Sequence, residues 1–224
     1  MAHYEVEIKS LLGEEKNAEA LKDKMCKLDP ECGCVARNTQ LNHYFKDGDV
    51  MKLFEKTKDL FNEEQCAQFQ RVVEKGEKFS VRSRQKDDEV LLVVKASVDA
   101  GSSENTVSRL EFEESVDVSL EALDELIQSA GFVYQAKWSR AREEYVYKGA
   151  NVCLDKNAGY GYLAEFEKIV DDEALLGEVR EELDVLMKEL GVEELSQERL
   201  ERMFSHYNEN WPEYYGKDKT FVIE

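Results

Sequence analysis

Two repeating patterns of apolar and polar residues run through this 224-residue sequence. One has a period of two, the mark of a half-buried strand; the other recurs every three to four residues, the mark of an amphipathic helix. Residues 3–10 (His-Tyr-Glu-Val-Glu-Ile-Lys-Ser) alternate and predict a strand. Residues 14–28 place Ala18, Leu21, Met25 and Leu28 at helical spacing, and Asp29-Pro30-Glu31-Cys32-Gly33-Cys34 reads as a loop. A second strand is expected over 36–46, stopped by Asp47-Gly48-Asp49, then helix over 50–75 in one or two pieces, ended by Gly76. Residues 79–85 and 89–97 flank Asp87-Asp88 and predict a hairpin. After the polar loop 99–103, alternation returns over 106–117. A helix over 119–130 follows, carrying Leu120, Leu123, Leu126 and Ile127 and closed by Gly131. Residues 132–147 predict one long strand or two, and 151–156 and 162–170 predict strands around Asn157-Ala158-Gly159-Tyr160-Gly161. Helices over 172–190 and 195–207 precede an aromatic, irregular tail.

About eight strands thus lie between residues 3 and 170, mostly joined by short turns, which favours antiparallel pairing. The expected class is α+β, with a sheet domain over 1–170. Residues 171–224 would form C-terminal helices and a tail packed on it. No internal repeat and no Pro/Gly/Ser-rich linker interrupts the chain.

Apolar residues make up 42% and charged residues 35% of the chain, with 2 Pro and 12 Gly, which excludes collagen-like and low-complexity architectures. Lys and Arg total 30 against 49 Asp and Glu, so the formal charge is 30 − 49 = −19. Such a surface repels nucleic-acid phosphate and anionic lipid and argues against both as partners. It suits sites that bind cations. No apolar run reaches membrane-spanning length, and the charged start lacks a signal peptide's apolar stretch, so a cytoplasmic location is expected. The five cysteines (Cys26, Cys32, Cys34, Cys66 and Cys153) are odd in number and read as free thiols rather than a disulfide framework or a zinc site.

Strand alternation sends residues i, i+2 and i+4 to one face. It groups Glu5, Glu7 and Lys9; Arg82 and Arg84; Arg109, Glu111 and Glu113; Arg140 and Arg142; and Glu165 and Glu167. Lys95 and Asp155 stand on further strands. One explanation is the wet face of a half-exposed antiparallel sheet. The other is a sheet curled so that the charged face turns inward, around bound water, metal and an anionic ligand. Clustered carboxylates do not all stay ionised without a cation, and hard oxygen donors select Mg2+, Mn2+ or Ca2+. Arginine and lysine supply charge-assisted donors to phosphate. Acids for metal and bases for phosphate describe a site for a metal–polyphosphate complex, and no glycine-rich phosphate loop competes with it. The three histidines, His3, His43 and His206, are scattered and read as surface or packing residues.

These residues, in this order, resemble the CYTH superfamily, the triphosphate tunnel metalloenzymes. Glu5-Val6-Glu7-Ile8-Lys9 is similar to its E-x-E-x-K signature, Arg82-x-Arg84 and Lys95 to its phosphate-binding bases, and Glu111-x-Glu113 to its central acidic strand. Arg140-x-Arg142-x-x-Tyr145 is similar to its K-x-R-x-x-Y strand, with Arg140 where Lys is common; Asp155 and Glu165-x-Glu167 resemble its C-terminal metal ligands. The resemblance implies a closed eight-stranded antiparallel β-barrel enclosing a tunnel. A small-molecule triphosphate would be gripped there by Lys9, Arg82, Arg84, Lys95, Arg140 and Arg142, with Arg109 as a further substrate-binding candidate. It implies one Mg2+ or Mn2+ ion on Glu5, Glu7, Glu165 and Glu167, and a second held by Asp155 with Glu111 or Glu113.

The resemblance implies one of several reactions. Water attack gives a hydrolase acting on tripolyphosphate, thiamine triphosphate or a nucleoside triphosphate, which we favour. Attack by a ribose 3′-hydroxyl gives an adenylyl cyclase of class IV type. An RNA 5′-triphosphatase is disfavoured by the charge of −19. A non-catalytic polyphosphate-binding module gains nothing from seven carboxylates. Trp211, Tyr214 and Tyr215 are expected to pack the last helix or to close a tunnel mouth. The leucine-rich helix over 172–190 suits either the core or a homodimer seam.

Overall fold

A computed structural model describes residues 4–97 and 109–223, and within them the side chains of Tyr4, Glu5, Arg109 and Glu173 lie outside the description. The strands are β1 (Tyr4–Gly13), β2 (Gly33–Lys46), β3 (Glu77–Lys86), β4 (Glu89–Ser97), β5 (Arg109–Val116), β6 (Val133–Tyr147), β7 (Ala150–Asn157) and β8 (Gly161–Val170). The helices are α1 (Glu15–Leu28), α2 (Val50–Thr57), α3 (Glu63–Lys75), α4 (Leu120–Ser129), α5 (Leu176–Leu190) and α6 (Gln197–Asn210). The helix expected over 50–75 is two pieces, broken by a 3-10 turn at Lys58–Leu60, and α3 restarts at a capping box between Asn62 and Gln65. No helix among the described residues is long and apolar enough to cross a membrane.

The eight strands form one antiparallel sheet in the order β1-β8-β7-β6-β2-β3-β4-β5. The closed barrel implied by the family resemblance is therefore corrected in one respect. Closure by hydrogen bonds requires a ladder between the terminal strands β1 and β5, and none exists among the described residues. Compactness divides the chain into two units, Met1–Thr39 with Ser139–Glu224, and Gln40–Trp138.

In the first unit, alternation gives each strand an apolar face that must leave water. Ile8, Val152, Leu154, Ala164 and Phe166 of the sheet bury against Leu21 and Met25 of α1 and Leu183, Met187 and Leu190 of α5. The leucine stripe of α5 is thus core. Burying a side chain such as Phe166 contributes about 2–3 kcal/mol. The tail folds back on the β7–β8 turn: Phe221 N donates to Gly159 O (2.6 Å) and Gly159 N to Lys219 O (3.1 Å). Tyr214 is buried beside Tyr207 and Phe221, in the packing role expected of it.

In the second unit, Val81, Leu92, Val94 and Phe112 meet Leu53 of α2, Phe69 of α3 and Leu123 and Ile127 of α4. The rings of Phe69 and Phe112 stack at 4.5 Å. One carboxylate lies inside this core. Asp124 of α4 is 3% exposed and accepts from His43 Nδ1 (2.7 Å), Ser83 Oγ (2.5 Å) and Tyr134 OH (2.6 Å), with Lys137 Nζ at 3.9 Å. His43 is therefore the packing residue expected, though a bonded one.

Burial alone would raise the Asp124 pKa, but donors from His43, Ser83 and Tyr134 outweigh it and hold the carboxyl below the usual aspartate range. The unfolded chain, where aspartate titrates near ~3.9, then takes up the proton more readily than the folded one. This contribution to stability is complete above that value and is lost as pH falls through the lower folded pKa. The urea midpoint is expected to drop below about pH 4, and to drop less steeply in Asp124→Asn, whose unfolding is compared over the same pH series.

Candidate active site

The charged residues singled out by strand alternation gather on the sheet face opposite each core, as one group in each unit. In the first unit the register sets Glu7 opposite Glu167 and Lys9 opposite Glu165 across β1–β8, Cys153 opposite Glu165 across β7–β8, and Arg142 opposite Asp155 across β6–β7. Directly opposed residues share a face, so the pairs form one surface. Lys9 Nζ bonds Glu7 and stands 3.8 Å from Glu165 Oε1. Glu165 accepts from Arg142 Nη2. Arg142 in turn forks onto Asp155, Nε to Oδ1 at 2.7 Å and Nη2 to Oδ2 at 2.6 Å, and Arg140 Nη1 reaches the same Oδ2 at 2.9 Å. The result is a continuous run of alternating charge: Glu7, Lys9, Glu165, Arg142, Asp155, Arg140.

Burial deepens along this run as far as Asp155. Lys9 keeps 25% of its side chain exposed, Arg142 14% and Asp155 1%. Burial alone would favour deprotonation of Arg142, but the Asp155 and Glu165 carboxylates outweigh it and raise its pKa, so the guanidinium stays charged. Cys153, on the same face, has its thiol pushed up to about 12, chiefly by burial, and is a neutral thiol. All five cysteines are free.

In the second unit Arg82 faces Val93 and Glu113 across β3–β4–β5, and Lys95 faces Ser80 and Glu111. Arg84 donates from Nε to Asn42 Oδ1 (2.8 Å) and from Nη1 to Glu113 Oε1 (2.5 Å). Lys95 Nζ lies 2.8 Å from Glu111 Oε1. Arg82 donates from Nη1 to Tyr44 OH (2.8 Å), and its guanidinium lies 5.1 Å from the centre of the Tyr44 ring. Arg82 Nε is buried without a hydrogen-bond partner among the described residues, a cost that an incoming anionic oxygen would relieve. Arg109 pairs with Ser97 in the β4–β5 register; its side chain, like that of Glu5, lies outside the described residues.

Among the described residues no three aspartate, glutamate, histidine or cysteine side chains stand together as a metal cluster. The donor set nonetheless has the chemistry of a hard-cation site. Glu7 and Glu167 oppose one another directly, like charges that destabilise the sheet unless a cation lies near them, and Lys9 supplies that charge to Glu7 here. Sequence reasoning missed Asn42 and Tyr44, which hold the two β3 arginines, because cross-strand register is not written in either strand. It also missed Asp124, for which a signal existed: the residue sits four after Leu120 and three before Ile127, on the apolar stripe of its helix.

No curated protein sequence matches the chain. Solved structures of similar fold include a candidate adenylate cyclase from Vibrio parahaemolyticus, 18% identical, with a TM-score of 0.58, covering 92% of this chain and 99% of its own. A Pyrococcus horikoshii protein, PH1819, is 24% identical, with a TM-score of 0.56 and coverage of 87% and 94%. A candidate adenylyl cyclase from Hippeastrum with a dominant triphosphatase activity is 17% identical, with a TM-score of 0.52 and coverage of 94% and 96%. The sequence model of the CYTH domain matches residues 62–200, well over half of the chain, leaving Glu5-Val6-Glu7-Ile8-Lys9 outside the matched span. On that match, and with the acidic and basic pairs of its strands arrayed as described, the chain belongs to the CYTH domain family.

Proposed function

We propose that this chain is a divalent-metal-dependent enzyme that hydrolyses a triphosphate, either tripolyphosphate or an organic or nucleoside triphosphate. The observation that carries the reading is the alternating run from Glu7 to Arg140, in which guanidinium and ammonium groups are held on one sheet face by carboxylates of β1, β7 and β8. Phosphoryl transfer demands charge neutralisation and placement more than covalent help, and fixed cations supply both.

In this reading the bases of each unit donate to phosphate oxygens: Lys9, Arg140 and Arg142 in the first, and Arg82, Arg84 and Lys95 in the second. Arg142, forked onto Asp155, is preorganised, so little rotamer entropy is lost when it meets a phosphate. Glu5, Glu7, Glu165 and Glu167 would hold Mg2+ or Mn2+, which all-oxygen donors select. A bound divalent ion would neutralise phosphate charge and lower the pKa of an attacking water. The Lys9 ammonium, which bonds Glu7 here, would be a further donor to phosphate.

The test is a substrate panel of tripolyphosphate, thiamine triphosphate, ATP and GTP, with and without Mg2+ or Mn2+, with products separated. Orthophosphate released only with metal is expected. Cyclic AMP with pyrophosphate would move the assignment to a cyclase; tight binding without turnover under either metal would leave a polyphosphate-binding module.

A further inference from the structure

The second unit contains a connection that the charged face alone does not explain. Three successive pairs of the β2–β3 register matter here: Asn42 opposite Arg84, His43 opposite Ser83, and Tyr44 opposite Arg82. The outer two pairs lie on the charged face, where Asn42 accepts from Arg84 Nε and Tyr44 OH accepts from Arg82 Nη1, both at 2.8 Å. The middle pair points to the other face, into the core. There both side chains end on one carboxylate, His43 Nδ1 on Asp124 Oδ2 and Ser83 Oγ on Asp124 Oδ1. Of these two strands each Asp124 oxygen thus takes one, on β2 at the residue between the holders Asn42 and Tyr44, and on β3 at the residue between Arg82 and Arg84.

We infer that Asp124 is a positioning residue, clamping β2 to β3 from the core side and so fixing the arginine pair Arg82 and Arg84 on the opposite face. The physical reason is leverage. A strand residue and its neighbours share a backbone, so pinning His43 and Ser83 to one rigid helix fixes the pleat at 42–44 and 82–84. The anchor is strong because it is dry: a buried, satisfied polar network has one low-energy arrangement, and breaking it leaves unpaired groups in the core. Tyr134 OH adds a third donor from β6, and Lys137 a nearby charge. The role of Arg82 and Arg84 in phosphate binding rests on the function proposed above; the clamp itself does not.

The test separates the two. Ser83→Ala, Asp124→Asn and Ser83→Thr are prepared, and cooperative thermal melting identifies which are folded. Without any ligand, 15N-resolved NMR follows exchange of the Arg84 Nε–H with water. Ser83→Ala and Asp124→Asn are expected to speed that exchange by roughly tenfold, the loss of one to two net hydrogen bonds, and Ser83→Thr to restore it. With tripolyphosphate, the same two variants are expected to raise KM by roughly tenfold while changing kcat much less. Unchanged Arg84 exchange in folded Ser83→Ala and Asp124→Asn overturns the clamp; if Asp124→Asn does not fold, Ser83→Ala alone decides. If the wild type neither binds nor hydrolyses any triphosphate, the proposed function fails and the exchange measurement still decides the clamp.

Discussion

Replacing Arg142 by alanine is expected to lower kcat/KM for tripolyphosphate by about 10²–10³-fold, the usual cost of removing one preorganised group that stabilises transition-state charge. The same change is expected to destabilise the fold by about 3 kcal/mol, because Asp155 is left buried with one partner fewer. Arg142 joins two carboxylates, Asp155 and Glu165, that stand on different strands, β7 and β8. Its loss therefore takes one partner from each, leaving Arg140 on Asp155 and Lys9 near Glu165, and breaks the alternating run in its middle. Arg142→Lys separates the effects. It keeps the positive charge but not the fork that meets both oxygens of Asp155, so stability should recover more fully than activity. Thermal melting and steady-state kinetics on the three proteins are the measurements. Near-wild-type turnover by a folded Arg142→Ala would remove this strand from the proposed site.

The second large effect is structural and concerns the turn that delivers β8. Gly161 has a φ of +76°, in the left-handed region where a side chain is strained, and a Cβ there would lie 2.2 Å from the Gly13 carbonyl oxygen. That neighbour is backbone at the end of β1, so it does not rotate away. Gly161→Ala is expected to cost about 2–4 kcal/mol, strain plus displacement of the β1–β8 ladder. For a chain of this size that corresponds to a fall in melting temperature of roughly 5–15 °C. The ladder beginning at this turn holds Glu165 opposite Lys9 and Glu167 opposite Glu7, so the proposed metal-dependent hydrolysis should weaken with it. A Gly161→Ala protein that melts with the wild type would show that the two strand ends have room to separate.

Local periodicity carried much of the fold. Each strand and helix expected between residues 14 and 97 and between 119 and 207 is present, with boundaries displaced by a few residues, because alternation and helical spacing are local consequences of which face leaves water. The charged face was legible for the same reason: Arg82 and Arg84, Arg140 and Arg142, and Glu165 and Glu167 project together simply by being two apart. The family signature supplied the order of those pairs, which periodicity cannot rank.

Pairing was not legible. Nothing in Asp155 announces that it will be 1% exposed and shared by two arginines, since that depends on β6 lying beside β7 in one register; a slip of one residue would turn Arg142 into the core. The expected metal ligand Asp155 is accordingly seen holding guanidinium groups. Asp124 makes the same point from the other side of the sheet. Its position on an apolar helical stripe is local, but its value comes from His43 and Ser83, 81 and 41 residues away along the chain. Face, period and charge arise between near neighbours and are readable in one dimension. Register, burial of a particular carboxylate and the choice of its donors are settled by contacts between distant segments, whose energies exist only once the chain has folded.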